Sequence, residues 1–224
     1  LLDVVMESPT AGLDACRAIR GELKNPFVRI LLCTGQPGAA PEREVIETYD
    51  IDGYLAKGEY TVNRMYTTVR SALKAYVELI ELDRHRRFLA AIDECGQSLH
   101  SFEPLPVTLR RVLETAALVC PGTLAVARLE TFAANGDPQE LTLVIGGDDP
   151  VLADAAACEV VRRLAADPAA LSRTGPESRD GDVLVPLIVH RDLGHGYVYL
   201  AGARLDDLSR RCLSMLAAHA SNAI

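Results

Sequence analysis

The chain has 224 residues, a length that suits one large or two small domains. Hydrophobic residues make up 49% and charged residues 24% of it, which excludes a disordered tail. The formal charge of -8 disfavours nucleic acid and anionic membrane surfaces as partners, because both would repel an acidic protein. No apolar run reaches the ~18 residues of a membrane span. We therefore expect a soluble protein of two modules.

The cysteine pattern predicts a reducing, cytoplasmic location. No CxxC motif or Cys/His pair occurs, so the spacing indicates neither a zinc site nor a redox motif. Apolar neighbours favour buried, reduced thiols. The N-terminus lacks the basic start of a signal peptide, and it begins inside an apolar run without a methionine, from which we expect a longer parent protein. The six cysteines are Cys16, Cys33, Cys95, Cys120, Cys158 and Cys212.

The first 60 residues alternate short apolar runs with helical patterns. Continuous apolar strands separated by helices favour a parallel sheet that is covered on both faces. We therefore assign residues 1–60 to a partial α/β domain with three parallel strands. The predicted strands are 1–6, 28–33 and 51–56, and the predicted helices are 13–23 and 41–49.

A long helix is predicted next, because residues 59–95 contain neither glycine nor proline. Apolar side chains recur there mostly every three or four residues, which indicates one amphipathic helix of ~55 Å. We assign residues 61–103 to this linker helix and expect a bend or a packing change near residues 83–87, where the apolar stripe is interrupted. The basic cluster at that point is interpreted as a solvated face rather than as a nucleic-acid patch.

Residues 104–224 predict an α+β domain in which paired antiparallel strands are segregated from helices. The strongest turn signal is Asn-Gly-Asp-Pro at 135–138. The predicted helices are 107–119, 150–166 and 205–224, the strands are 123–134, 140–145, 183–190 and 196–201, and residues 172–182 are predicted as a polar loop.

Three side chains of the first module point to phosphoryl chemistry. Asp3 lies in the first predicted strand, Thr34 follows the second and Lys57 follows the third. The carboxyl ends of parallel strands meet at one edge of a sheet, where ligand sites lie. A carboxylate, a hydroxyl and an amine can together accept a phosphoryl group, hydrogen-bond it and neutralise it.

These residues resemble a bacterial response-regulator receiver domain, which has a flavodoxin-like fold. The resemblance covers DVVMESPTAGLDACRAIR (3–20), RILLCTG (29–35) and DGYLAKGE (52–59). It implies that Asp3 is the phosphoacceptor, that Thr34 and Lys57 contact the phosphoryl oxygens and that Tyr54 is an aromatic switch. It also implies that Asp3 and the backbone carbonyl of Val5 face Mg²⁺. The loop ESPTAG departs from the usual pattern, and Gly58 replaces the proline that often follows the lysine.

TGQPGAAPEREVI (34–46) with YDIDGYLAK (49–57) is similar to a narrower family, in which a receiver precedes a GAF-like domain. An HD-GYP cyclic-di-GMP phosphodiesterase commonly follows in that family. The resemblance implies a cytoplasmic phosphorelay protein with a histidine kinase partner, a GAF-like domain at 104–224 and a downstream output domain. The two alternatives are a small-molecule sensor with a degenerate receiver as scaffold and the regulatory part of a phosphodiesterase. We expect no enzymatic activity from residues 1–224 themselves.

A receiver has five parallel strands, and this sequence supplies the last three. The acidic pair that holds Mg²⁺ in a receiver is therefore not among these residues, and we expect residues 1–224 alone not to be phosphorylated appreciably. We also expect a homodimer that forms through the free edge of the Asp3 strand or through the long helix.

The second module offers no catalytic constellation. His190, Asp192 and His195 lack a standard metal spacing. Arg128, Glu130 and Arg204 could line a pocket or could lie on solvent faces of strands, and period-two polar positions favour the solvent faces.

Overall fold

The computed structural model describes residues 1–35, 42–58, 61–99, 103–132, 137–146, 175–189 and 194–223. The chain divides into two compact units, Leu1–Arg84 and His85–Ile224. The first is α/β and the second is α+β, which confirms the predicted succession of fold classes. Among the described residues, no helix is both long enough and apolar enough to cross a membrane.

The first unit contains a parallel sheet in the order β1-β2-β3. Leu2 pairs with Leu32 of β2, and Leu31 of β2 pairs with Gly53 of β3. Helix α1 continues as a wider π-helical turn over Ala18–Glu22. The elements are β1 (Leu2–Asp3), α1 (Ala11–Arg17), β2 (Leu31–Thr34), α2 (Glu42–Tyr49), β3 (Gly53–Ala56) and the start of α3 (Val62–Leu99).

All three strands are shorter than predicted, and a side-chain network explains the late start of β2 and β3. The carboxylate of Asp52 accepts a hydrogen bond from the backbone N–H of Ile30 at 2.7 Å and pairs with Arg29 at 2.7 Å. Arg20 donates to the carbonyl oxygens of Val28 and Asp50, each at 2.9 Å. Backbone groups before these strands therefore bond to side chains as well as to a neighbouring strand, and the regular ladder begins later.

Helix α3 is continuous through residues 83–87, where the sequence predicted a bend or a packing change. The boundary between the two compact units, Arg84 and His85, falls inside this segment. On the C-terminal side of the boundary, Phe88, Ile92 and Cys95 are buried in the core of the second unit.

The second unit contains an antiparallel sheet in the order β5-β4-β8-β7-β6. Its core lies on the sheet face that α4 and α5 cover, and includes Leu113, Leu129 and Leu213. The predicted loop 172–182 is wrong in part, because it contains β6. The elements are α4 (Leu105–Val119), β4 (Leu124–Phe132), β5 (Pro138–Gly146), β6 (Glu177–Arg179), β7 (Asp182–Val189), β8 (Gly194–Ala201) and α5 (Asp207–Ala223).

A tight turn joins β6 to β7. Asp180 and Gly181 both have positive φ angles, 55° and 85°, as a two-residue hairpin turn requires. The predicted helix 150–166 and Cys158 lie outside the described residues. The other five cysteines are buried and free, as expected for reduced thiols.

Candidate functional site

The three strands of the first unit bring the predicted phosphoryl-binding residues to one edge of the sheet. Asp3 is the last residue of β1, Thr34 is the last of β2, and Lys57 directly follows β3. The ladder extends past the strand ends, because Val4 N–H donates to the Cys33 carbonyl at 3.0 Å and Lys57 N–H donates to the Thr34 carbonyl at 2.7 Å. Backbone pairing therefore fixes the positions of the Cα atoms of these three residues at the edge of the sheet.

Asp3 and Lys57 form an ion pair between Oδ2 and Nζ. The hydrogen bond from Lys57 is the main reason that the pKa of the Asp3 carboxyl lies below its ordinary value of 3.8. Partial desolvation opposes the shift, while the charge of Lys57 and the N–H groups of Val5 and Val4 support it. Asp3 is consequently ionised at neutral pH, which is the nucleophilic form of a carboxyl group.

The loop after β1 is held close to the site by Gly12. Its N–H donates to the Val4 carbonyl at 3.0 Å. A Cβ atom at this position would lie 2.0 Å from the carbonyl oxygen of Asp3, so only glycine allows α1 to start this close to β1. A glycine directly before a predicted helix is the sequence signal that could have identified this positioning residue.

The remaining predicted residues lie at different depths. Thr34 is buried, with 3% of its surface exposed. Tyr54 pairs with Leu32 in the ladder and packs against the small core of the first unit. Val5 is 52% exposed and lies two residues after Asp3. The structure thus brings Asp3 and Lys57 into contact, places Thr34 on the adjoining strand end, and packs Tyr54 against the core.

The two oxygen donors that the receiver resemblance implies for a metal ion are the Asp3 carboxylate, at the end of β1, and the backbone carbonyl of Val5, two residues later. Both are of the kind that Mg²⁺ prefers, and Mg²⁺ usually keeps several water or phosphate ligands. Within the described ranges, no three His, Cys, Asp or Glu side chains converge on a possible metal position. The donors present fit Mg²⁺ in type, and they would be only part of its coordination shell.

A second cluster lies on the sheet face of the second unit that is opposite to the core, and it joins Arg128, Glu130 and His195, which the sequence analysis considered, to Glu140 and Tyr197, which it did not. We call it the polar face cluster, and it consists of Arg128, Glu130, Glu140, His195 and Tyr197. Arg128 pairs with Glu130 at 3.0 Å and with Glu140 at 2.7 Å. The Arg128 side chain is 18% exposed and so is partly buried on this face, whereas Arg204 is exposed. Cross-strand register creates this cluster, and no local motif signals it.

Comparison with known proteins gave one curated relative. No protein-family model matches the chain. The 3′3′-cGAMP-specific phosphodiesterase 2 of Vibrio cholerae serotype O1 is 42% identical over 105 residues, which are 47% of this chain and 20% of that protein. The matched part thus spans about a fifth of the length of that relative.

Two solved structures resemble the chain weakly. The GAF domain of a Pseudomonas syringae pv. tomato protein described as a sensor histidine kinase aligns over 66% of this chain and 89% of its own, with 21% identity and a TM-score of 0.40. The N-acylhomoserine lactone dependent LuxR family factor CepR2 of Burkholderia cenocepacia aligns over 61% and 92%, with 14% identity and a TM-score of 0.41. At these scores neither structure supports a functional comparison.

Proposed function

We propose that residues 1–224 are a regulatory region of a larger cyclic-dinucleotide phosphodiesterase. The observation that carries this proposal is the 42% identity to a curated phosphodiesterase of which the matched segment is only a fifth. In this proposal the first unit is part of a flavodoxin-like receiver and the second is a GAF-like domain. The hydrolytic site then belongs to the longer protein and not to these residues.

Asp3 is the proposed phosphoacceptor of the first unit. One oxygen of its carboxylate attacks phosphorus, and the bond between phosphorus and the donor, such as a histidine kinase phosphohistidine, breaks as the acyl phosphate forms. Lys57 already contacts this carboxylate, so its ammonium group can move with the negative charge onto the phosphoryl oxygens. The Thr34 hydroxyl, at the end of the adjoining strand, is the proposed hydrogen-bond donor to the same oxygens.

Asp3 and the Val5 carbonyl are the residues that would hold Mg²⁺, which when bound neutralises charge on the phosphoryl group. Movement of Thr34 would reach Tyr54 through the paired strands β2 and β3, in which Thr34 pairs with Ala56 and Tyr54 pairs with Leu32. Helix α3 is the proposed route of the signal, since it follows β3 and contributes side chains to the core of the second unit.

Intact-mass spectrometry after treatment with acetyl phosphate and Mg²⁺ tests the phosphoacceptor in the longer protein. We expect a gain of one phosphoryl group that Asp3→Asn abolishes. Asp14→Asn is the matched control, because Asp14 is an exposed aspartate of the same unit that pairs with Arg17 at 2.8 Å. No gain, or a gain that survives Asp3→Asn, would overturn the proposal. Residues 1–224 alone are expected to gain none.

The phosphodiesterase proposal has a separate test. We expect the longer protein to hydrolyse a cyclic dinucleotide and residues 1–224 alone to hydrolyse none. Hydrolysis by residues 1–224 would contradict the assignment of a purely regulatory role to this region.

A second candidate function is that of a small-molecule sensor, in which the second unit binds the signal. The observation that favours it is the hydroxyl of Tyr197, which is buried and has no hydrogen-bond partner among the described residues. A thermal-shift screen tests this function, because a ligand that binds only the folded state stabilises it by RT ln(1 + [L]/Kd).

A further inference from the structure

We propose that the polar face cluster binds a small organic cation that carries an apolar body. The inference rests on the second of the two proposed functions, the sensor, and names its site and its class of ligand. It does not depend on phosphorylation of Asp3.

Three successive cross-strand rows build the site on β5, β4 and β8. The residues of each row are direct partners in the ladder, and alternate residues along a strand face the same side of the sheet, so all three rows share one face. The first row is Val144, Val126 and Tyr199, the second is Thr142, Arg128 and Tyr197, and the third is Glu140, Glu130 and His195.

Exposure increases along these rows. Val126 is fully buried and Tyr197 is 3% exposed, whereas Glu130 and Glu140 are 42% and 53% exposed. The first row belongs to an apolar cluster with Leu124 and Ala201. Since same-face rows are roughly 7 Å apart, an apolar body against the first two rows would place a polar end at the third.

The charges of the cluster favour a cation. Glu130 and Glu140 are direct cross-strand partners, and two like charges in this arrangement repel each other. Arg128 lies between them and uses Nε and Nη2 for Glu130, at 3.2 and 3.0 Å, and Nη1 for Glu140, at 2.7 Å. Two carboxylates therefore face one guanidinium, and Glu130 Oε2 also lies 3.2 Å from His195 Nε2.

The buried hydroxyl of Tyr197 is an independent indication of a ligand. Tyr197 is the direct cross-strand partner of Arg128, and the charges of Arg128, Glu130 and Glu140 act on its hydroxyl group. A buried hydroxyl without a partner is unfavourable and requires an explanation. A bound cationic N–H group would give the Tyr197 oxygen a donor and would add a positive charge where two carboxylates face one guanidinium. An organic cation fits better than a metal ion, because Glu130, Glu140 and His195 do not converge on one point.

Three probes of the same shape test the class of ligand: benzamidinium, benzamide and benzoate, which are cationic, neutral and anionic. Each is titrated into the full chain, and binding is followed by NMR chemical shifts. We expect benzamidinium to bind at least tenfold more tightly than either other probe, and Glu140→Gln to weaken it at least tenfold. The matched control is Glu114→Gln, an exposed carboxylate of the same unit on α4, which should leave the affinity unchanged.

Two variants separate a binding role from a structural one. Removing both carboxylates, by Glu130→Gln with Glu140→Gln, leaves Arg128 uncompensated and should reverse the preference to benzoate. Tyr197→Phe should weaken benzamidinium without unfolding the protein. The site is refuted if benzamidinium binds no better than benzamide, or if the double variant keeps the original preference. Tight binding of benzamidinium that Glu140→Gln does not weaken would also refute this site and would leave a sensor function elsewhere intact.

Discussion

Replacing Tyr197 by phenylalanine should stabilise the second unit, because the substitution removes a buried hydroxyl group. Tyr197 is 3% exposed, and its hydroxyl has no partner among the described residues. Burying an unpaired hydroxyl costs about 1–3 kcal/mol by mutational measurements. We therefore expect Tyr197→Phe to raise the free energy of unfolding at neutral pH by about 1 kcal/mol, and the melting temperature of this unit by about 3 °C.

The same hydroxyl predicts how stability changes at alkaline pH. Burial raises the pKa of Tyr197 from 10.0 to about 12, with Glu130 and Glu140 adding to the shift and Arg128 opposing it. Between these values the unfolded chain has lost the proton and the folded chain still holds it, so stability falls as pH rises. At about 1.4 kcal/mol for each pKa unit, the loss across this window is roughly 2–3 kcal/mol.

The assay is urea unfolding of wild type and Tyr197→Phe at neutral pH and in the alkaline window, followed by a signal of the second unit. The difference between the two proteins isolates one of the seven tyrosines. The gain from the substitution should grow with pH by the amount above. If Tyr197→Phe lowers stability at neutral pH, or if its effect is the same at both values, the hydroxyl has a partner and the reasoning is refuted.

Three further predictions concern the first unit. Lys57→Met should raise the pKa of Asp3 toward 3.8, which carboxyl NMR titration would detect, with Lys74→Met as the control. The variant should also lack the part of the folding stability that the wild type loses as pH falls below that value. Gly12→Ala places a Cβ atom 2.0 Å from the carbonyl oxygen of Asp3 and should lower the free energy of unfolding of the unit by at least about 1–3 kcal/mol in urea. Gly21→Ala is the control and should not destabilise the unit, because an added Cβ there meets no other part of the fold within 4 Å. A dimer is expected in light scattering at ~50 µM, and a monomer there would argue against edge pairing of β1.

The site of the first unit could be predicted from the sequence, because strand order and strand ends determine it. Apolar runs indicated three parallel strands, and Asp3, Thr34 and Lys57 each lie at or just after a strand end. The strand lengths were predicted less well, since the side chains of Arg20 and Asp52 bond to the backbone before the ladders begin. Hydrophobicity cannot report such bonds.

The sequence analysis considered Arg128 and Glu130, but it could not predict the polar face cluster, because the cluster depends on the register between β4 and β8, which are distant in sequence. A shift of one residue in the β4–β8 ladder would turn Arg128 and Tyr197 to opposite faces of the sheet, and such a shift in the β4–β5 ladder would turn Glu140 away from Arg128. Alternation alone therefore places Arg128 in solvent, although its side chain is only 18% exposed. The hairpin at Asp180 and Gly181 is a different case, because Asp-Gly is a strong local turn signal from which β6 could have been predicted, although residues 172–182 were predicted as a loop.

The contrast between Asp3 and Tyr197 explains why the two units are assigned different chemistry. Asp3 has a cation and two backbone N–H groups that stabilise its charged form, so it is ionised at neutral pH, as the proposed role of phosphoacceptor requires. Tyr197 has burial and two carboxylates that oppose its charged form, so it stays neutral and can only donate or accept a hydrogen bond. The first arrangement suits the proposed phosphoacceptor, since the Lys57 ammonium group can shift from the Asp3 carboxylate to the phosphoryl oxygens after the covalent bond forms. The second suits reversible binding, in which an incoming group supplies the partner that the fold does not.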